Sequence, residues 1–243
     1  MLHIVGMGPG GHRDHLTLRA WDALTAADVV IYPGANIADE ISSAITGRKL
    51  VGERMNDEEV RGHVTAALGK EDDVVLLLSG DPSLFSGEPG HFESLSGIVS
   101  WCVGEGIEFE VIPGIGSVSA LAALLGIEHV ALNRNQTVIM HAPSRQATNS
   151  EHNTIEKLAE HKCSLVFFLC IDHIQEIAQK CLLHHPPQTP YIIAEMVGHE
   201  SSRIHRGELS ELEAYAATTV LSSNMLLLIG ECYSPQETTA DRS

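Results

Sequence analysis

Gly80-Asp81-Pro82-Ser83-Leu84-Phe85-Ser86-Gly87 follows an unbroken aliphatic run, Val74–Leu78, and the pair decides the fold. A run that is apolar without alternation reads as a strand covered on both faces, as parallel strands are. The acid, the proline and the glycines then lie where that strand ends. Two other loops have the same setting. Gly6-Met7-Gly8-Pro9-Gly10 follows the strand-like residues 2–5, and Pro113-Gly114-Ile115-Gly116-Ser117 follows Phe109–Ile112. Glycine lets a backbone approach a ligand closely, and open α/β sheets bind small molecules at the carboxyl ends of their strands. Three such loops predict one ligand held mainly by main chain.

Outward from these loops, strand-like and helical patterns alternate. Leu18, Trp21 and Leu24 share one helical face, and Val29–Tyr32 reads as a strand. Asn56 with Glu59 three residues on forms a capping-box signal ahead of Val60, Val64, Ala67 and Leu68 at helical spacing. Ser117–Leu125 is an alanine- and leucine-rich helix, with Ser117 placed to cap it. This βαβα order predicts a parallel sheet. The rhythm resets near residues 126–135. Strands follow at 137–140, 165–169, 191–194 and Met225–Ile229, with helices near 154–160 and 171–182. The fold class is α/β, in two halves: an N-terminal domain 1–118 and a C-terminal domain 119–233, with 234–243 a frayed polar tail.

Composition narrows the function. Asp and Glu number 32 against 15 Lys and Arg, and the net charge of −17 repels nucleic acid and anionic membranes. No apolar run reaches the roughly 20 residues of a membrane-spanning helix, and residues 1–6 read as a strand rather than a signal peptide. The five cysteines are scattered without CxxC spacing, which predicts a reduced, cytoplasmic protein with no disulfide framework. The 14 histidines show no ligand-type spacing, so no metal is expected.

Gly6-x-Gly8-x-x-Gly11 matches the dinucleotide fingerprint in form. Its context does not fit. Pro9 removes an N–H from the loop that should cradle a pyrophosphate, polar residues 12–15 delay the helix, and the second strand ends at Tyr32-Pro33 without a ribose-binding acid. Asp81 reads either as a turn or cap residue or as an acceptor for a cationic or hydroxylated ligand. The loop at 112–117 reads either as an ordinary strand-to-helix turn or as a shelf for a ligand. On the second reading, Gly114→Val is expected to block the ligand and leave the fold intact.

Five motifs in order resemble the tetrapyrrole (corrin and sirohaem) methyltransferases that use S-adenosylmethionine. They are Gly-x-Gly-Pro-Gly at the start, Leu16-Thr17-Leu18-Arg19-Ala20, the Ala-Asp-Val-Val-x-Tyr segment ending at Tyr32, Gly80-Asp81-Pro82, and Pro113-Gly114-Ile115. The resemblance covers about residues 1–233. Within the family it runs to the branch that methylates carbon 11 of precorrin-4 or cobalt-precorrin-4. Arg54-Met55-Asn56-Asp57-Glu58-Glu59, the Gln136-Thr137-Val138-Ile139 strand and His161-Lys162-Cys163-Ser164 ahead of Phe168-Leu169 carry that likeness. Two positions depart: Met140-His141-Ala142-Pro143 stands where the branch has Leu-Thr-Arg, and Gly11 stands where the first loop normally ends in Asp.

The resemblance implies two α/β domains with S-adenosylmethionine in the cleft between them, a homodimer, and a tetrapyrrole substrate. Pro9, Gly80, Asp81, Leu84, Phe85, Gly114, Ile115, Gly116 and Ser117 would line the cofactor from the first domain. Leu169, Cys170, Met196, Val197, Gly230 and Glu231 would do so from the second. Asp81 is the candidate catalytic residue. Arg13, Arg19, Arg54, Arg134 and Arg145 are the candidates for binding substrate carboxylates, Arg145 taking over the absent arginine's role. The alternatives are another methyltransferase of the superfamily, acting on a different corrin carbon or in diphthine synthesis, and a dinucleotide-binding α/β protein.

Overall fold

The computed structural model describes residues 1–33, 37–84, 94–143 and 152–234. The chain forms two compact units, Met1–Ala120 joined by Gly198–Glu200, and Leu121–Val197 joined by the chain from Ser201 onward.

The first unit runs β1 (Leu2–Gly6), α1 (Leu18–Ala26), β2 (Val29–Tyr32), α2 (Asp39–Ala44), β3 (Arg48–Val51), α3 (Asp57–Leu68), β4 (Val74–Leu78), α4 (Leu95–Glu105), β5 (Phe109–Ile112) and into α5 (Ser117–Leu125). Its sheet has the order β3-β2-β4-β1-β5, and every pairing is parallel. Successive residues of a strand face opposite sides. Leu2, Ile4, Ile31, Leu76 and Leu78 therefore pack with Val60 and Val64 of α3 and Ile98 of α4. Val5, Val30, Val75 and Leu77 pack with Ala20 and Leu24 of α1 and Ile41 of α2 on the other face. Helices cover both sides, which is why β4 carries no polar residue.

Local signals set the helix ends. Glu59 N donates to Asn56 Oδ1 at 3.0 Å and Asn56 N to Glu59 Oε2 at 2.8 Å, the reciprocal pair the sequence predicts. Thr17 Oγ1 accepts from Ala20 N at 3.1 Å and starts α1 well past Gly11; the chain between is spent in the short 3-10 turns Pro9–Gly11 and Arg13–His15. A dinucleotide fingerprint would open its helix at that third glycine.

The second unit comprises β6 (Val138–His141), α6 (Ile155–Glu160), β7 (Ser164–Phe168), α7 (Ile174–Leu182), β8 (Pro190–Glu195), β9 (Arg203–Glu208), α8 (Leu212–Thr218) and β10 (Met225–Ile229). The sheet order is β6-β7-β10-β8-β9. β6 and β7 are parallel, whereas β10 is antiparallel to both β7 and β8, and β9 is antiparallel to β8. Phe167, Ile177, Cys181, Tyr191, Leu212 and Leu227 belong to its core. Each such large apolar side chain contributes about 1.5–3 kcal/mol on burial.

Candidate cofactor site

β4, β1 and β5 are parallel neighbours, so the loops that follow them leave the first sheet side by side. Gly8 N donates to Gly80 O at 3.1 Å and Gly80 N to Gly8 O at 3.0 Å, joining the first loop to the second. Met7 N adds a bond to Leu78 O at 2.9 Å. The third loop presses on both. A Cβ at Gly6 would stand 2.5 Å from Gly114 N and 2.7 Å from Pro82 Cδ, and one at Gly114 would stand 2.3 Å from Gly80 O.

The three loops do meet, but Gly6 and Gly114 are needed for a reason the sequence did not reveal: the loops touch one another. Gly114→Val should therefore disturb the fold, because the atoms in its way are main chain and the loops would have to part to admit it. Gly80 is different. Its φ is +65°, and a Cβ there meets no described atom within 4 Å.

Asp81 Oδ1 accepts from Ser83 N at 3.0 Å and from Ser83 Oγ at 2.7 Å, an Asx turn. The turn fixes the carboxylate at the strand end, and Oδ2 takes part in neither bond. Leu84, 43% exposed, holds its Cδ2 3.2 Å from the Cβ position of Gly116. Pro9 is buried in its turn, Ile115 is half-buried, and Ser117 opens α5. Phe85 lies outside the described residues.

In the second unit, Leu169 and Met196 are the residues immediately after β7 and β8. Both adopt left-handed backbone, φ +47° and +51°. A residue other than glycine there costs on the order of 1 kcal/mol or more, and such strain gathers at binding sites. Their N–H groups are anchored alike, Leu169 N to Met225 O at 3.1 Å and Met196 N to Asn224 O at 3.0 Å. Buried Glu195 braces the same edge: its Oε1 accepts from Ser222 N at 2.6 Å and from the Arg203 guanidinium at 2.8 Å. Leu169 leaves its side chain 48% exposed, while Cys170 beside it is fully buried, and burial pushes its thiol up to about 12. Cys170 can line a site but cannot act as a thiolate near neutral pH. Val197 is buried next to Met196.

Gly230 and Glu231 do not join this group. Because β10 runs against β7 and β8, its carboxyl end lies with their amino ends: Ile229 pairs with Tyr191 and Leu165, and Gly230 N donates to Pro190 O at 3.0 Å. They stand a strand's length, on the order of 15 Å, from Leu169 and Met196. The residues that share an edge with Leu169 and Met196 are instead Ser222, Ser223 and Asn224 just before β10, which the sequence reading missed.

The candidate arginines are scattered. Arg13 bonds Glu40 at 3.2 Å with its guanidinium 4.6 Å from the Trp21 ring, and Arg19 is ion-paired with Glu110. Arg54 is exposed in the turn after β3, at the same edge as the glycine loops. Arg134 donates to Glu231 O at 3.0 Å and lines a pocket of about 370 Å³ with Thr189 and Pro190, at the edge away from Leu169 and Met196. Arg145 lies outside the described residues. At the carboxyl end of β6, His141 stands edge-on to Phe167 at 6.2 Å, and burial, followed by the nearby His173, holds its pKa below the ordinary value of 6.5.

Comparison with known proteins gives the family of the chain and the structures that share its fold. The chain is 26% identical to the cobalt-precorrin-4 C(11)-methyltransferase of Methanocaldococcus jannaschii over 96% of its own length and 88% of the relative's. The X-ray structure of a cobalt-precorrin-4 methyltransferase, CbiF, has the same fold, with a TM-score of 0.85 at 24% identity and 96% of each chain covered. The uroporphyrin-III C-methyltransferase of Thermus thermophilus complexed with S-adenosyl homocysteine also shares the fold, with a TM-score of 0.73 at 22% identity, covering 95% of this chain and 97% of that one. Residues 1–213 match the tetrapyrrole (corrin/porphyrin) methylases, and the chain with its three interlocked loops belongs to that family of S-adenosylmethionine-dependent methyltransferases.

Proposed function

We propose that this enzyme methylates carbon 11 of precorrin-4 or cobalt-precorrin-4 in cobalamin biosynthesis, with S-adenosylmethionine as donor. The observation that carries the proposal is the likeness to the carbon-11 enzyme of M. jannaschii, which runs through 96% of the chain.

Bound S-adenosylmethionine supplies an electrophilic methyl on a sulfonium. The chain's part is to hold that group in line with an electron-rich carbon of the macrocycle, for which positioning is the main requirement. The knitted loops carrying Pro9, Gly80, Asp81, Leu84, Gly114, Ile115, Gly116 and Ser117 form one set of proposed contacts. Leu169, Cys170, Met196 and Val197 form the other, with residues 222–224 added. Asp81 is preorganised by its Asx turn to accept hydrogen bonds from an amine or hydroxyl of the ligand or to steer the substrate. Arg54 is placed to meet a substrate carboxylate, since no ion pair engages it among the described residues. Arg13 and Arg19 would first have to exchange carboxylate partners, at little cost for exposed pairs.

We also propose that the enzyme works as a homodimer in the cytoplasm. All five cysteines are free and buried, which suits a reducing compartment. Incubating the enzyme with S-adenosylmethionine and a mixed precorrin pool, followed by mass spectrometry, tests the proposal. A single added methyl on a precorrin-4 species is expected; methylation of another macrocycle only would move the assignment elsewhere in the family.

A further inference from the structure

His15 is the side chain on which the first glycine loop closes. Its Nδ1 lies 2.7 Å from Pro9 O. A carbonyl only accepts, so Nδ1 must carry the proton in this contact. The ring is also wedged between backbones. A Cβ at Gly8 would stand 2.3 Å from His15 Cβ, and one at Gly198 would stand 3.2 Å from His15 Cε1 and 2.5 Å from Pro9 O. A Cβ at Gly10 would stand 2.0 Å from Gly198 O. Pro9 O and Gly198 thus meet the imidazole itself, Gly8 packs on the Cβ and main chain of His15, Gly10 packs on Gly198, and His12 meets the ring edge-on at 6.3 Å.

We propose that His15 is the positioning residue of the cofactor loop: it fixes the Pro9 carbonyl and holds the Gly198–Glu200 turn against Pro9 and Gly10. Pro9 has no N–H, so its peptide can be oriented only from the carbonyl side or by the loop's own packing. The Nδ1 donor supplies that orientation, the ring occupies the space that glycine leaves free at Gly198, and the Cβ and main chain of His15 fill that at Gly8. The inference rests on the proposed cofactor reading of the same loop.

Two variants separate the bond from the packing. His15→Phe keeps a ring of similar size and loses the donor; His15→Asn loses volume and keeps an amide N–H at the position of Nδ1. Calorimetric titration with S-adenosylhomocysteine, with melting temperatures measured alongside, reads both. We expect His15→Phe to weaken binding by roughly fivefold to tenfold, the loss of one partly buried hydrogen bond. His15→Asn should stay within about twofold of the unaltered enzyme even where it melts earlier. Equal binding by His15→Phe and the unaltered enzyme overturns the inference, and so does a folded His15→Asn as weak as His15→Phe. An unaltered enzyme that does not bind S-adenosylhomocysteine overturns the cofactor reading itself, and this inference with it.

Discussion

Gly114 and Gly80 lie on loops that touch, yet substitutions at them should fail in opposite ways. A methyl at Gly114 would stand 2.3 Å from Gly80 O, 2.7 Å from Gly6 C and 2.8 Å from Gly6 O. Contact distances for such atoms are about 3.5 Å, so the loops would have to part by roughly 1 Å. Overpacking of this kind costs roughly 1–3 kcal/mol. For a chain of 243 residues each kcal/mol lowers Tm by about 2–4 °C, so Gly114→Ala should melt about 2–12 °C early. A Cβ at Gly80 meets no described atom within 4 Å, and asparagine tolerates left-handed backbone, so the Tm of Gly80→Asn should fall by no more than about 3 °C. Its side chain would nevertheless project over the loops into the space proposed for the cofactor. Differential scanning calorimetry paired with S-adenosylhomocysteine titration reads both effects. Gly80→Asn should keep its fold and lose affinity by about tenfold or more. If Gly80→Asn binds like the unaltered enzyme, or Gly114→Ala melts like it, the account of these loops is wrong.

Other outcomes follow from the same geometry. Asp81→Asn preserves the acceptor for Ser83 and removes the charge; methylation should weaken by the equivalent of about 1.5–3 kcal/mol with little change in melting, whereas unaltered activity would leave Asp81 as a turn residue alone. Leu169→Gly relieves a left-handed residue, so it should raise Tm by about 2–4 °C while weakening cofactor binding; a variant less stable than the parent contradicts the strain argument. Cys170 and Cys181 are both pushed by burial up to about 12 from an ordinary 9.0. Below pH 9 both states hold these protons. Above it only the unfolded chain releases them, so stability should decline between pH 9 and 12 by up to about 1.4 kcal/mol per pH unit per thiol, and a flat Tm from pH 8 to 11 would refute this. Macrocycle affinity should fall steeply between low and moderate salt and cofactor affinity much less, since only the former depends on charge pairing.

The first sheet was legible because its signals are local. β2, β4 and β5 run as read, and the Asn56–Glu59 box forms. The strands that escaped notice, β3 and β9, are edge strands rich in charge, Arg48-Lys49-Leu50-Val51 and Arg203-Ile204-His205-Arg206-Gly207-Glu208, where apolar alternation is weak. α4 was hidden by Gly97 and Gly104 within it and is closed by Ser94 at one end and Gly106, φ +67°, at the other. Missing β9 had a further effect on the site. A hairpin between β8 and β9 reverses the chain, so β10 runs against β8 and carries Gly230 and Glu231 to the edge opposite Leu169 and Met196. Strand direction depends on pairing, which a run of apolar residues such as Met225–Ile229 does not encode. The left-handed backbone of Leu169 and Met196 has no signal in residue type either; it is visible only once the strands end.

The most direct test of the central claim is the position of the transferred methyl. The enzyme is supplied with S-adenosylmethionine labelled with carbon-13 in its methyl group and, in separate reactions, with precorrin-4 and cobalt-precorrin-4, and the product is analysed by carbon-13 NMR. The account predicts one enriched methyl resonance, on carbon 11 of the macrocycle, from at least one of the two substrates. Label on any other ring carbon, or no label in either product from enzyme that binds S-adenosylhomocysteine, would contradict it.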